Sequence, residues 1–195
     1  MKSEQIDLVV VGAGIIGLAT AHQYLVQCPK KSVVVLERES DSALHQTGRN
    51  SGVLHSGIYY APGSMKAELA VAGRSAMVKF CEERAINHEI CGKVIVATRN
   101  DEIKRLRALR ERATHNGLDA ELISSARLKE IEPYCTGIEA LHVPSTGIVS
   151  YAAVCEALAA EIEGRGGVIR YGAQVVTIEE SNEGARVSTS KGDLV

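Results

Sequence analysis

The sequence predicts an α/β fold in which a second domain interrupts a nucleotide-binding domain. An apolar strand, a glycine-rich turn, a helix and a second strand follow one another over residues 6–38. A long segment without helical periodicity comes next, and a helix followed by strands returns only after residue 150. A βαβ unit, an insertion and a return to helix and strand are typical of a Rossmann-like domain that carries an inserted α+β domain.

The first βαβ unit carries a dinucleotide fingerprint. Residues 6–11 have the composition of a strand buried on both faces, and residues 12–17 read GAGIIG, which fits G-x-G-x-x-G. A helix is predicted from residue 15 to about residue 27, and a second strand over residues 33–36 ends at Glu37. The fingerprint therefore stands in its expected context, although a glycine turn that binds no ligand remains the simpler alternative.

Each residue of the fingerprint has a physical task. Gly12 permits the tight turn, Gly14 lets the backbone approach a diphosphate, and Gly17 lets the helix pack close to the strand. The first amides of the helix lack partners within the helix and favour an anion. Glu37 lies 20 residues after Gly17 and can accept hydrogen bonds from ribose hydroxyls. Its charge would repel a 2′-phosphate, so FAD or NAD is favoured over NADP.

The remaining elements follow from periodicity and from capping residues. Ser64 predicts the N-cap of a helix that ends at residue 81, and Asp101 the cap of a helix that Gly117 ends. A short helix opens at Ser124 and ends before Pro133. A further helix is predicted over residues 151–165, and strands over residues 93–98, 140–143, 168–171, 175–178 and 186–189.

The order of these elements divides the chain. Residues 1–90 and 146–195 are predicted to form the nucleotide-binding domain, and residues 91–145 part of a substrate or cap domain. No later strand follows residue 195 to complete either domain, so we expect a fold that is truncated at its C-terminus.

Composition excludes several classes of function. The net charge is −2, with 22 basic and 24 acidic residues, which implies no polyanion-binding role. Few aromatic residues are available to stack on bases, so a nucleic-acid partner is not expected. Five widely spaced cysteines without a C-x-x-C pair suit reduced thiols, and no zinc or other metal site is predicted.

The expected location is the cytoplasm, because no apolar run is long enough for a membrane span and only five residues precede the first strand. Five basic side chains decorate the helix after Asp101, namely Lys104, Arg105, Arg107, Arg110 and Arg112. A solvated face is the simpler interpretation. A weak contact with the surface of the inner membrane is the alternative.

Four stretches resemble one family, the FAD-dependent L-2-hydroxyglutarate oxidases and dehydrogenases of the D-amino-acid-oxidase-like superfamily. They are TGRNSGVLHSGIYYAPGSMKA (residues 47–67), CGKVIVAT (91–98), EPYC (132–135) and TGIVSYAAVC (146–155). Members of the family typically carry His where Arg49 stands and Asp where Ser150 stands, and the second departure puts a hydrogen bond near the domain junction in doubt.

The resemblance implies FAD, a glutathione-reductase-type nucleotide-binding domain, and oxidation of the 2-hydroxy acid L-2-hydroxyglutarate to 2-oxoglutarate. Electrons would pass from the flavin to oxygen or to the respiratory quinone pool. The candidate cofactor-binding residues are Gly12, Gly14, Ile15, Gly17, Glu37, Arg38, Thr47, Gly48, Asn50, Ser51 and Val176.

His55 is the candidate catalytic base, because the substrate hydroxyl must lose a proton as the hydride leaves. A histidine that only hydrogen-bonds the flavin or the loop backbone is an equally good interpretation. Tyr59 and Arg49 are candidate substrate-binding residues, although packing and a solvated surface position, respectively, are the simpler interpretations.

Two other functions stay open at this stage. The chain could be a non-catalytic remnant with at most weak dinucleotide binding, because the missing C-terminal half would leave strand edges unpaired. It could also be an NAD-dependent enzyme or regulator, which the stretch over residues 47–67 disfavours.

Overall fold

The computed structural model describes residues 5–182 and 184–194. It divides into two compact units, Met1–Asn50 together with Ser150–Val195, and Ser51–Val149. The chain therefore leaves the first unit once and returns once, as an insertion requires. Both boundaries differ from the sequence-based ones, because residues 51–90 and 146–149 belong to the second unit. The assignment of the two units to cofactor and substrate stays a prediction.

The first unit is built on a parallel sheet. Strand β1 (Leu8–Val11), helix α1 (Ile15–Gln27) and strand β2 (Val33–Leu36) form the predicted βαβ unit, with Leu8 opposite Val33. Strand β2 lies between β1 and β9 (Val168–Arg170). This central position explains its unbroken VVVL sequence, since all four side chains are buried.

Helix α5 (Tyr151–Gly164) packs with helix α1 in this unit. Its N-cap is Ser150, whose hydroxyl accepts a hydrogen bond from the Ala153 amide at 3.3 Å. Asp and Ser are both good N-caps, so Ser at this position keeps the capping hydrogen bond that an Asp would make. His22 and Glu161 join the two helices at 2.6 Å.

An antiparallel meander completes the first unit. It consists of β10 (Val175–Ser181), β11 (Gly184–Thr189) and β12 (Gly192–Leu194). The register shifts between Val175 and Thr177, so Val176 is the extra residue of a β-bulge. The meander packs on the parallel sheet through a small core of Val34, Leu36, Ala173 and Val187.

The second unit contains two antiparallel sheets and three helices. One sheet has the order β3, β8, β4 and the other the order β5, β7, β6. The strands are β3 (Val53–Leu54), β4 (His88–Glu89), β5 (Lys93–Ala97), β6 (Glu121–Ser124), β7 (Glu139–Val143) and β8 (Gly147–Val149). The helices are α2 (Met65–Glu83), α3 (Asn100–His115) and α4 (Ser125–Ile131).

Pairing of the short strands explains the position of the boundary. Strands β3 and β4 both pair with β8, and Ile58 is buried in the core between the second sheet and α3. These partners lie far away in the sequence. Local periodicity therefore assigned residues 51–90 to the first domain, although their contacts hold them in the second unit.

Helix starts in this unit follow the predicted caps with one exception. Ser64 and Ser124 accept hydrogen bonds from Ala67 and Arg127, as expected. Asp101 does not cap α3, which already begins at Asn100. The Glu102 carboxylate instead accepts from the amides of Thr98 and Arg99, at 2.8 and 3.2 Å. These backbone hydrogen bonds lower the pKa of Glu102.

Two of the five basic side chains on α3 are held within the unit. Arg107 pairs with Glu139 at 3.3 Å, and Arg112 donates to the Tyr59 carbonyl at 3.0 Å. Such contacts favour the interpretation of a solvated face over a membrane-binding one. In the part of the chain that the structure describes, no helix combines the length and the apolar character needed to cross a bilayer.

Candidate functional site

The glycine-rich turn after β1 has the geometry that the fingerprint predicts. Gly12 has φ +102°, a conformation that favours glycine, and its amide donates to the Leu36 carbonyl at 2.7 Å. Gly17 faces this turn from the first turn of α1. A Cβ on Gly17 would overlap the carbonyl oxygen of Gly12. Gly12 and Gly17 are therefore required by the fold of the chain itself.

Gly14 differs from these two glycines. It is the N-cap of α1 and has φ −79°, which any residue can adopt. A Cβ there would meet only the Thr47 hydroxyl oxygen, at 3.2 Å. Contacts with the described residues therefore do not explain why glycine occupies position 14. A ligand that approaches the backbone closely would explain it.

Glu37 has a structural role that the sequence did not reveal. Its carboxylate accepts from the Ala13 amide at 2.7 Å and from the Glu39 amide at 3.0 Å. It therefore holds the glycine-rich turn to the end of β2. Each carboxylate oxygen has a second lone pair, so the predicted hydrogen bonds to ribose hydroxyls are compatible with this arrangement. The i+20 spacing pointed to the residue but could not show its backbone partners.

Residues 43–50 lie beside the start of α1. The Thr47 hydroxyl accepts from the Ile15 amide at 3.1 Å, whereas the Gly14 amide has no partner among the described residues. Gly48 lies against the carbonyl of Ala43, which a Cβ would overlap. Asn50 donates to the carbonyls of Gln46 and Thr47, at 3.0 and 2.7 Å. These contacts hold residues 47–50 beside the N-terminus of α1.

An open cleft of about 330 Å³ adjoins the turn. It is lined by Val11, Gly12, Leu36, Glu37, Arg38, His45, Ala173, Gln174 and Val175. Arg38 lies at its rim, where it pairs with Glu39 at 3.1 Å and contacts His45 at 3.3 Å. Val176 is 65% exposed and does not line the cleft, whereas Val175 does. The role of Val176 itself stays a prediction.

The predicted site residues Arg49, Ser51 and His55 do not line the cleft. Arg49 is exposed, and its guanidinium forms no hydrogen bond or ion pair with residues 5–182 or 184–194. Ser51 and His55 are exposed residues of the second unit. Of the predicted cofactor-binding residues, Gly12, Glu37 and Arg38 line the cleft, and Glu37 is its acidic group.

A small pocket of about 90 Å³ lies in the second unit. It is lined by His55, Ser56, Gly57, Ile58, Tyr59, Tyr60 and Lys93. The pocket brings the predicted site residues His55 and Tyr59 together with Ser56, Tyr60 and Lys93. Lys93 Nζ lies 4.4 Å from the centroid of the Tyr59 ring. Ser56 is buried, with 1% exposure.

The described residues contain no cluster of three or more His, Cys, Asp or Glu side chains that could hold a metal ion. Among the cysteines, Cys81 and Cys155 are buried and Cys91 is exposed. Burial raises the pKa of the Cys155 thiol to about 11, so this thiol stays protonated at neutral pH.

Comparison with known families identifies the family of the chain. The family described as FAD dependent oxidoreductase matches residues 7–194. The matched range includes the residues that line the cleft, the meander and the whole second unit. It confirms the predicted superfamily.

Two curated relatives resemble nearly the whole chain. The L-2-hydroxyglutarate dehydrogenase of Salmonella houtenae is 46% identical over 186 residues, and that of Escherichia coli K12 is 45% identical over the same length. Each match covers 95% of this chain and 44% of the relative. The chain thus spans less than half the length of these relatives and corresponds to an N-terminal portion of them.

The fold also resembles solved structures. The FAD-bound L-alpha-glycerophosphate oxidase of Mycoplasma pneumoniae superposes with a TM-score of 0.89 at 24% identity. The match covers 96% of this chain and 50% of that protein. At this identity the similarity concerns the fold alone, and it confirms the predicted α/β class.

Proposed function

The chain belongs to the FAD dependent oxidoreductase family, and from this membership we propose that it is the N-terminal, FAD-binding part of an enzyme that oxidises L-2-hydroxyglutarate to 2-oxoglutarate. The proposed substrate is inferred from the 45–46% identity to L-2-hydroxyglutarate dehydrogenases over 95% of the chain. The glycine-rich cleft of the first unit supports the cofactor independently of that similarity.

The residues of the first unit fit the ADP half of FAD. The Gly14 amide and the N-terminus of α1 offer hydrogen-bond donors and a positive dipole end to a diphosphate. The Glu37 carboxylate stands at the wall of the cleft, where it can accept from ribose hydroxyls. Bound FAD supplies the acceptor for the hydride that leaves carbon 2 of the substrate. Arg38, Thr47, Gly48, Asn50, Ser51 and Val176 stay candidate contacts.

His55 is proposed to take the proton of the substrate hydroxyl. Its ring is exposed and forms no hydrogen bond with the described residues, so one ring nitrogen can accept the proton. The alternative, a histidine that only hydrogen-bonds the flavin, predicts a different result on substitution. His55→Ala should lower the rate of flavin reduction by about 100-fold or more with flavin content unchanged if His55 is the base. A loss of flavin content with an unchanged rate would identify the alternative role.

Reduction of bound flavin tests the proposed function. Purified chain should carry stoichiometric FAD, and anaerobic L-2-hydroxyglutarate should bleach its absorbance. D-2-hydroxyglutarate serves as the control because it has the same charge and the opposite configuration. Colourless protein would favour the non-catalytic remnant, and bleaching by NADH or stabilisation by NAD alone would favour a nicotinamide-linked protein.

The electron acceptor and the location are part of the proposal. Oxygen or a membrane quinone can reoxidise a reduced flavin, and the two are separated by measuring oxygen uptake and reduction of a soluble quinone analogue by the same preparation. We propose a cytoplasmic protein, with a peripheral membrane contact through α3 as the alternative. Co-sedimentation with anionic vesicles tests that contact.

Glu37→Gln is expected to weaken FAD binding about 10- to 100-fold. The amide keeps the shape of the side chain, but its NH₂ group replaces one of the two carboxylate oxygens, so one of the hydrogen bonds from the Ala13 and Glu39 amides is lost. The substitution also removes the negative charge, which strengthens hydrogen bonds from ribose hydroxyls. Each hydrogen bond to a charged group contributes about 1.5–3 kcal/mol. Fluorescence titration of the apoprotein with FAD measures the change. Glu179→Gln, an exposed glutamate of β10, is the control and should leave the Kd unchanged.

A further inference from the structure

We propose that Lys93 and Ser56 form a binding subsite for one carboxylate of the substrate within the second unit. This inference rests on the proposed function, because it assigns a subsite for the same dicarboxylate. It is carried by the small pocket formed by residues 55–60 and Lys93. Sequence motifs did not single out Lys93.

The loop that forms the pocket is held on three sides. Ile58 is 1% exposed and anchors the loop in the core that includes Leu106 and Leu141. Gly57 packs against helix α2, where an added Cβ would lie 3.2 Å from Ala70 Cβ. The Asn116 side chain donates to the carbonyls of Gly57 and Tyr60, at 3.3 and 3.1 Å. The pocket wall is therefore positioned before any ligand binds, which lowers the entropic cost of binding.

Ser56 is one of the residues that line this pocket, and its hydroxyl is buried. Its side-chain oxygen has no hydrogen-bond partner among the described residues, although the residue is 1% exposed. Buried hydroxyls are normally hydrogen-bonded, and an unpaired one costs stability. A ligand oxygen in the pocket would accept the hydroxyl proton and remove that cost.

Lys93 supplies the charge. It is the first residue of β5 and is half-buried, and its ammonium lies over the Tyr59 ring, 4.4 Å from the centroid. Lys31 and Lys79 each have a carboxylate within 4 Å, whereas Lys93 forms no ion pair with any described residue. No acidic residue lines the pocket. A ligand anion would therefore meet a positive charge in a partly desolvated site, where charge-assisted hydrogen bonds are strong.

The size of the pocket limits the ligand. Its volume of about 90 Å³ is well below the roughly 300–1,000 Å³ of a typical site for a whole small molecule. It can accept a carboxylate with its adjoining methylene but not a whole five-carbon dicarboxylate. The pocket thus fits one end of the substrate, and Lys93 and Ser56 would select for a terminal carboxylate.

Titration of the 195-residue chain with glutarate tests the subsite without requiring turnover. Glutarate carries both carboxylates but lacks the hydroxyl that the proposed reaction oxidises. Lys93→Gln should raise its Kd, measured by calorimetry, about tenfold or more, and Ser56→Ala about three- to tenfold. Lys93→Arg keeps the charge and should stay within about threefold of the parent chain. Lys104→Gln, on the exposed face of α3, is the matched control and should leave the Kd unchanged.

Thermal unfolding of the same variants separates binding from folding. Ser56→Ala should unfold at the same temperature as the parent or higher, because it removes an unpartnered buried hydroxyl, and yet it should bind glutarate more weakly. If Lys93→Gln unfolds at the assay temperature, Ser56→Ala decides the result. Equal affinities for all variants, no saturable glutarate binding by the parent chain, or phosphate binding as tight as glutarate would each overturn the subsite.

The proposed function and the subsite fail in different ways. Lys93-dependent glutarate binding without flavin reduction by L-2-hydroxyglutarate would support the subsite and refute the proposed reaction. Flavin reduction by L-2-hydroxyglutarate with an unchanged glutarate Kd in Lys93→Gln would support the reaction and refute the subsite.

Discussion

Gly17→Ala is expected to destabilise the first unit by about 3 kcal/mol, which is the upper end of the usual cost of overpacking. The added Cβ would overlap the Gly12 carbonyl oxygen, a backbone atom. Gly12 cannot move away easily, because its φ of +102° and its hydrogen bond to the Leu36 carbonyl fix the turn. Helix α1 would have to shift away from β1, which would disturb the packing of Leu18 and Leu25 beneath it.

Gly73→Ala is the matched control. Gly73 also lies inside a helix, α2, but it is exposed, and an added Cβ would have no atom within 4 Å. Alanine should therefore stabilise the chain by up to about 1 kcal/mol through its higher helix propensity. Urea unfolding followed by circular dichroism measures both changes in the free energy of unfolding. Equal stabilities for Gly17→Ala and Gly73→Ala would contradict the close approach.

The βαβ unit was predictable because its determinants are local. The bounds of α1 and β2 match the predicted residues 15–27 and 33–36, since glycines, a buried apolar run and a helical period specify them without distant partners. The first strand begins at Leu8, two residues later than predicted, because the Asp7 amide donates to the Ser32 hydroxyl and not to a strand carbonyl. The Asp7 carboxylate accepts hydrogen bonds from the Lys31 ammonium and the Ser32 amide. These bonds lower the pKa of Asp7 to about 2.

The features that sequence reasoning missed depend on distant partners. Strands β3 and β4 have two residues each and exist only because both pair with β8. Ser56 lies in the stretch of residues 47–67 that indicated the function. Lys93 is the first residue of a predicted strand, a position at which an exposed lysine is common. Only the folding of residues 55–60 against α2 and α3 brings them to one pocket. A pattern with a period of two or 3.6 residues carries no information about such contacts.

Gly14→Val is expected to abolish flavin binding, with the FAD affinity lowered at least about 100-fold, while the chain stays folded. The backbone at Gly14, with φ −79° and ψ 174°, is extended and suits valine. The added Cβ would meet one protein atom, the Thr47 hydroxyl oxygen at 3.2 Å, so the free energy of unfolding should fall by only about 1 kcal/mol or less. The diphosphate, in contrast, would meet a branched side chain at the point where it must approach the Gly14 amide.

Gly164→Val separates this effect from a general loss of helix stability in the same unit. Gly164 ends helix α5, and an added Cβ there would have open space. The control should therefore retain stoichiometric FAD, although valine has a different helix propensity. Absorbance at 450 nm relative to protein measures flavin content, and urea unfolding of both apoproteins measures stability. Gly14→Val that unfolds like the parent and still carries flavin would show that the diphosphate does not lie at the start of α1. Gly17 would then retain only its role in packing, and the remaining argument for FAD would be the family similarity alone.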